Sequence, residues 1–210
     1  FLYLSLPCFS PKNMIHKTWF TKNIDKQILT FQTIIMKKLI TNFKAFIQQI
    51  KSKTPEKIGK ILLREALQIS SAESCTGGLV SSRLTDVSGS SAYIRMNFVT
   101  YSNEAKQKIL NVSPDTLEKY GAVSEECAYE MAQGLQQLTQ SNVVICTTGV
   151  AGPTGSEAKP VGLMYMACGF NGKIKVRKIK LSPNYNRKNM KFMFSEEALK
   201  FVLKTILEKR

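Results

Sequence analysis

A chain of 210 residues, 43% hydrophobic, with a net charge of +15 has room for one domain with a real core plus an appendage. It has no apolar run of roughly 18 or more residues, so no membrane-spanning helix and no membrane partner are expected. Five widely spaced cysteines (Cys8, Cys75, Cys127, Cys146 and Cys168) without a CxxC pair indicate neither a disulfide framework nor a zinc site, and fit a reduced, cytoplasmic compartment.

The charge is uneven. Residues 1–60 carry 11 Lys/Arg and 2 Asp/Glu, residues 61–168 carry 7 and 10, and residues 169–210 carry 12 and 3. The middle of the chain is mildly acidic and the ends are basic, so nucleic acid is not the expected partner. Phe1–Phe9 is apolar but lacks the length and basic lead-in of a signal peptide. Residues 1–50 read as an atypical basic extension, disordered or spurious, and residues 51–210 as the domain. A Lys-rich, acid-poor leader also suits a transit peptide, and starts at Met14 or Met36 fit as well.

Apolar residues at Ile58, Ile61, Leu62, Ala66, Leu67 and Ile69 predict an amphipathic helix over 58–69. A strand is expected to end at residues 72–73, followed by a helix over 77–87. A short strand over 98–101 leads into a helix capped by Ser102 or Asn103 and running to about 111. A long helix is predicted over 124–138, then strands over 143–147, 161–168 and 173–181, and a last helix over 194–207. The alternation of strands and helices gives an α/β class around one sheet.

Three segments carry candidate chemistry. AESCTGG at 72–78 is a strand-to-helix junction with backbone N–H groups that could receive a phosphate or an oxyanion. Its Ser74 and Thr76 could equally cap the helix. In TYSNEAK at 100–106, Lys106 has Ile109 and Leu110 at i+3 and i+4, whereas Lys108 faces Glu104. A lysine held against apolar groups has a lowered pKa and can serve as a base, although it could also snorkel to water. TGVAGPTG at 148–155, with KPVG at 159–162, places Gly149 and Gly152 in a rigid loop after a buried strand. Ligands gather at such loops, which can also be plain tight connections. Cys75 is a second possible nucleophile, and Glu73 and Asp86 read as structural. The single histidine, His16, lies in the extension, so a histidine-based triad is nearly excluded.

In order along the chain, AESCTGG at 72–78, LTDVSGSSAY at 84–93, VTYSNEAK at 99–106, YGAVSEE at 120–126, TGVAGP at 148–153 and KPVG at 159–162 resemble the C-terminal domain family of the competence-damage protein CinA. That family includes stand-alone nicotinamide-mononucleotide deamidases. The resemblance covers about residues 58–207. It implies a three-layer α/β/α sandwich around a mixed sheet that commonly forms a homodimer. It also implies hydrolysis of nicotinamide mononucleotide to nicotinate mononucleotide and ammonia, without a metal or cofactor. It places the nucleophile on Ser74 and the base on Lys106. It places Tyr101 with the catalytic pair, where it helps to position substrate, and has Thr76, Gly77 and Gly78 frame the nucleophile; these three, with Asn103, Gly149 and Gly152, are the expected substrate-binding residues. Arg187 matches a loop arginine and is expected to hold the substrate phosphate; the Lys-rich tail around it also suits a solvated charge.

Three departures stand out. The Gly-rich loop is shorter and reads Gly155-Ser156, and the acidic neighbour of the loop arginine is missing from Asn184-Tyr185-Asn186-Arg187. The large nucleotide-pyrophosphatase-like domain of two-domain CinA proteins does not fit in this chain. The alternative to the enzyme is a non-catalytic binding protein associated with competence or DNA damage.

Overall fold

The structure is a computed structural model and describes residues 11–156 and 159–208. Residues 1–10 of the expected extension, with Cys8, lie outside the described residues, as does the side chain of His16. The chain divides into two compact units, Phe1–Ile40 and Thr41–Arg210.

Where the sequence reading expects disorder, helix α1 runs over Pro11–Lys51. The physical reason is composition. No Gly or Pro occurs between Pro11 and Pro55, and Leu, Ile, Met, Lys and Gln are adequate helix formers. Among the described residues of the first unit, the large apolar side chains Leu29, Phe31 and Leu39 are exposed. The second unit begins within this helix, ten residues ahead of the expected domain boundary.

That unit is built on a five-stranded sheet of order β2-β1-β3-β4-β5. The strands are β1 (Ile69–Glu73), β2 (Ile94–Val99), β3 (Val143–Gly149), β4 (Leu163–Phe170) and β5 (Lys173–Lys180). Strand β1 pairs in parallel with β2 and β3, whereas β4 is antiparallel to β3 and β5. The alternation along β3 explains the layers. Val143 and Ile145 pack with Ile58 and Leu62 of α2 (Thr54–Arg64), Val80 and Leu84 of α3 (Leu79–Thr85), and Phe194 and Leu199 of α7 (Arg187–Leu207). Val144 and Cys146 face the other way. They meet Leu110 of α4 (Asn103–Leu110), Leu117 of α5 (Pro114–Tyr120) and Met131 and Leu135 of α6 (Glu125–Thr139). The result is the expected α/β fold with a mixed sheet. Helices α4 and α6 meet at Gly134, where an added Cβ would lie 1.8 Å from the Leu110 carbonyl oxygen.

Several boundaries differ from the sequence reading. The helix expected over 58–69 ends at Arg64, because Ala66 turns to a left-handed φ of 50° and Ile69 opens β1. Strand β2 begins at Ile94, not residue 98. Helix α5 was not anticipated, though Pro114 stands in its first turn. Helix α7 begins at Arg187, about two turns before residue 194, and is capped by Asn186, whose side chain accepts the Asn189 N–H at 2.8 Å.

Candidate active site

The carboxyl ends of β1, β2 and β3 lead directly into the three motif segments, so parallel pairing brings Ser74, Tyr101 and Gly149 to one end of the sheet. Ser74 follows β1 and is fixed by its backbone: its N–H donates to the Thr147 carbonyl at 3.0 Å, and its carbonyl accepts the Gly77 N–H at 3.1 Å. Neither Ser74 nor Thr76 caps α3. The N-cap is Gly78, at φ 89°. The buried carboxylate of Glu73 performs the capping, accepting the N–H groups of Val80 at 2.9 Å and Ser81 at 2.8 Å and the Ser81 hydroxyl at 2.6 Å. The anion-binding helix start expected here is therefore already occupied by the protein's own carboxylate, which leaves the Ser74 hydroxyl to the cleft.

Helix α4 is capped by Ser102, whose hydroxyl accepts the Ala105 N–H at 3.0 Å. Its register sends Lys106 inward, and the residue is 1% exposed. Lys106 Nζ donates to the carbonyl oxygens of Thr100 at 3.0 Å and Tyr101 at 3.2 Å and to Ser74 Oγ at 3.3 Å. It does not snorkel. Lys108 does reach solvent, pairing with Glu104 at 2.6 Å. The two carbonyls set two of the N–H directions on Nζ, so a tetrahedral nitrogen is held with a third direction on Ser74 Oγ. As an ammonium it donates there; as a neutral amine its lone pair can face the hydroxyl proton.

Cys75 also lines the cleft, but burial pushes its thiol up to about 12, against a hydrogen bond with Thr147 that lowers it. At neutral pH it is a protonated thiol and a poor nucleophile.

The Gly-rich loop forms the opposite wall. Gly149 sits flush on β4: an added Cβ would meet the Leu163 carbonyl oxygen at 2.6 Å. Gly152 has φ 79° and leaves 2.9 Å between such a Cβ and Val161. The Val150 N–H donates to the Leu163 carbonyl at 2.8 Å and the Val150 carbonyl accepts the Gly162 N–H at 2.9 Å, which anchors the loop to β4. Arg187, the first residue of α7, spans the mouth. Its Nη1 donates to the Gly152 carbonyl and its Nη2 to the Tyr101 hydroxyl at 3.0 Å.

Together these walls enclose a cleft of about 320 Å³ that Ser74, Tyr101, Asn103, Lys106, Gly149, Gly152 and Arg187 all line. Thr76, Gly77 and Gly78 do not line it. Thr76 is buried behind Ser74, its hydroxyl 2.8 Å from that of Thr147, and an added Cβ on Gly77 would lie 3.0 Å from Lys191 Nζ. The Gly-rich loop adds Val150, Ala151 and Thr154 to the lining, and sequence reasoning missed Ala122, Val123 and Thr148, which also line it. The first two sit in the YGAVSEE motif, and apolar side chains give no chemical signal of their own.

A mixed-sheet α/β domain with a buried lysine on a serine at the carboxyl ends of its parallel strands is the class that fold and cleft define. The family model for the CinA C-terminal domain matches residues 51–206, and the chain belongs to that family. It is similar to the CinA-like protein of Chloroherpeton thalassium, with 48% identity over 150 residues, 70% of this chain and 36% of that one. Among solved structures it is similar to the competence/damage inducible protein CihA of Agrobacterium tumefaciens: TM-score 0.70 and 36% identity, over 72% of this chain and 93% of that one. A second is the competence damage-inducible protein A (ComA) of Klebsiella pneumoniae: TM-score 0.72 and 27% identity, over 75% and 98%. The chain spans about a third of the length of the curated relatives it matches.

Proposed function

We propose that this domain hydrolyses the carboxamide of nicotinamide mononucleotide to nicotinate mononucleotide and ammonia, with Ser74 as nucleophile and Lys106 as its base. The observation that carries the reading is the buried Lys106 Nζ at 3.3 Å from Ser74 Oγ on the cleft wall. A serine hydroxyl is a weak nucleophile until an adjacent base removes its proton. Neutral Lys106 takes that proton as Oγ attacks the amide carbon. The resulting ammonium returns it to the departing nitrogen, so that ammonia leaves and an acyl-serine remains. Water then adds to the acyl carbon, giving one proton to Lys106. Collapse breaks the Oγ–C bond, Ser74 regains its proton, and the acid is released as carboxylate. No metal or cofactor enters any step.

The cleft is suited to a substrate with an amide at one end and a phosphate at the other. Arg187 lines the same cleft beside Tyr101, and a guanidinium matches a phosphate in shape and charge. The names of the relatives, which speak of competence and damage, suggest the second reading, a non-catalytic binding protein. Measuring ammonia release from nicotinamide mononucleotide beside DNA retention at physiological salt separates the two. The enzyme reading predicts release without retention, and retention without release overturns it.

A further inference from the structure

The last turns of α1, which belong to the domain, turn a polar face inward. Ala45 is buried there. Asn42 accepts the Asn186 N–H at 3.0 Å and the Asn189 side-chain N–H at 2.8 Å, and donates to the Asn184 carbonyl at 3.1 Å. Gln48 donates to the Glu196 carboxylate at 3.2 Å, as does Ser52, just beyond the helix, at 2.7 Å. Three large apolar side chains point the other way: Phe43, Phe46 and Ile50 are 63%, 54% and 67% exposed. Their three- and four-residue spacing puts them on one helix face. In the sequence the same spacing continues upstream at Leu39 and Met36. A large exposed apolar face of this kind marks an interaction surface, and it lies ahead of residue 51, where the family match begins.

Charge selects the occupant. Between Asp25 and Glu56 the chain has six lysines, Lys26, Lys37, Lys38, Lys44, Lys51 and Lys53, and no acidic residue. Lys44 and Lys51 each follow an apolar residue of the face, so they run along one of its borders. A second copy of this stretch laid against the first would set lysines against lysines, with no acid within residues 26–55 to meet them. The flanking positions Asn42, Ile47 and Gln49 also carry no charge to set a helix register. We infer that this face lies on an anionic lipid surface, with Phe43, Phe46 and Ile50 in the acyl boundary and Lys44 and Lys51 at the headgroup phosphates. Among the described residues no helix is long and apolar enough to cross a membrane. A helix lying in the interface plane needs no such length, which is why the sequence reading gave no membrane partner.

The test is co-flotation of the full chain with vesicles of phosphatidylcholine alone or mixed with phosphatidylglycerol. Binding to the anionic vesicles should exceed binding to the neutral ones by about tenfold and weaken as salt screens the lysines. Phe43→Ser/Phe46→Ser should lower anionic-vesicle binding by about tenfold with unchanged circular dichroism, since both side chains are exposed. Lys44→Gln/Lys51→Gln, a milder change, should remove the preference for anionic vesicles. Absence of binding to anionic vesicles, equal binding by the Phe variant, or a wild-type dimer that this variant dissociates would each overturn the inference. In the last case a second copy covers the face.

Discussion

Arg187→Ala separates the phosphate end of the proposed substrate from its amide end. A guanidinium carries five N–H donors. Two groups on the protein, the Gly152 carbonyl and the Tyr101 hydroxyl, already accept from it, so the fork is held in place with donors remaining for a ligand. A hydrogen bond to a charged group contributes about 1.5–3 kcal/mol, or roughly 10- to 150-fold in binding. The fold should tolerate the change. Arg187 is exposed, and it stands at the first position of α7, in a first turn without an acidic residue, where the helix dipole opposes a cation. Steady-state ammonia release should therefore show kcat/KM for nicotinamide mononucleotide falling roughly 10- to 150-fold, with little change for the phosphate-free riboside. Equal losses on both substrates, or no loss on either, would refute the assignment and move the phosphate to the backbone donors of the Gly149–Gly155 loop.

Lys106→Met keeps the volume of a fully buried side chain but removes Nζ, and should lower ammonia release on the order of 10²–10⁴-fold. Lys108→Ala, on the solvated face, should leave it unchanged. Cys75→Ala should keep activity within about threefold, and thiol alkylation at neutral pH should not inactivate the wild type, because the Cys75 thiol is protonated there. A large loss in either experiment would make Cys75 the nucleophile. Arg83→Ala removes the buried cation paired with Glu196, 2.5 Å away, and urea denaturation at pH 7 should show a loss of about 3–5 kcal/mol. The wild-type contribution should depend on pH. Burial by itself raises the Glu196 carboxyl, but hydrogen bonds from Ser52 and Arg83 and the Arg83 charge outweigh it and hold the group below its ordinary value. That stability is fully present above the unfolded carboxyl value of about 4.3 and fades as pH falls through the lower folded value. Melting curves of the two proteins should therefore converge in acid, and a constant gap down to pH 2 would contradict the linkage.

The parts of the site legible in the sequence were those with a local rule behind them. The side of α4 that Lys106 occupies follows from its helical neighbours Ile109 and Leu110, and Ser102 caps in the usual way. The convergence of Ser74, Lys106 and Arg187 does not follow from any local pattern. It depends on parallel pairing of β1 with β2 and β3 and on where α7 begins, which motif order supplied only through a family resemblance. Glu73 shows the opposite failure. Its role as the cap of α3 is a contact seven and eight residues ahead, made possible by the left-handed turn at Gly77 and Gly78, and no spacing rule announces it. The sequence pattern places the start of α7 two turns late because Arg187-Lys188-Asn189 carries no apolar residue to mark a helix face. Asn186 supplies a cap that makes those residues helical. The N-terminal helix is not legible in the sequence because, among the described residues, its large apolar side chains from Leu29 to Phe43 are exposed, so periodicity has no core to point to.

Whether Ser74 attacks the carboxamide of nicotinamide mononucleotide is decided by ammonia release from the wild-type chain and from Ser74→Ala. The wild type should yield equimolar ammonia and nicotinate mononucleotide. The variant should yield none above background, with an unchanged melting temperature. Failure of the folded wild type to release ammonia, or comparable release by the variant, would rule out Ser74 as the nucleophile of this reaction.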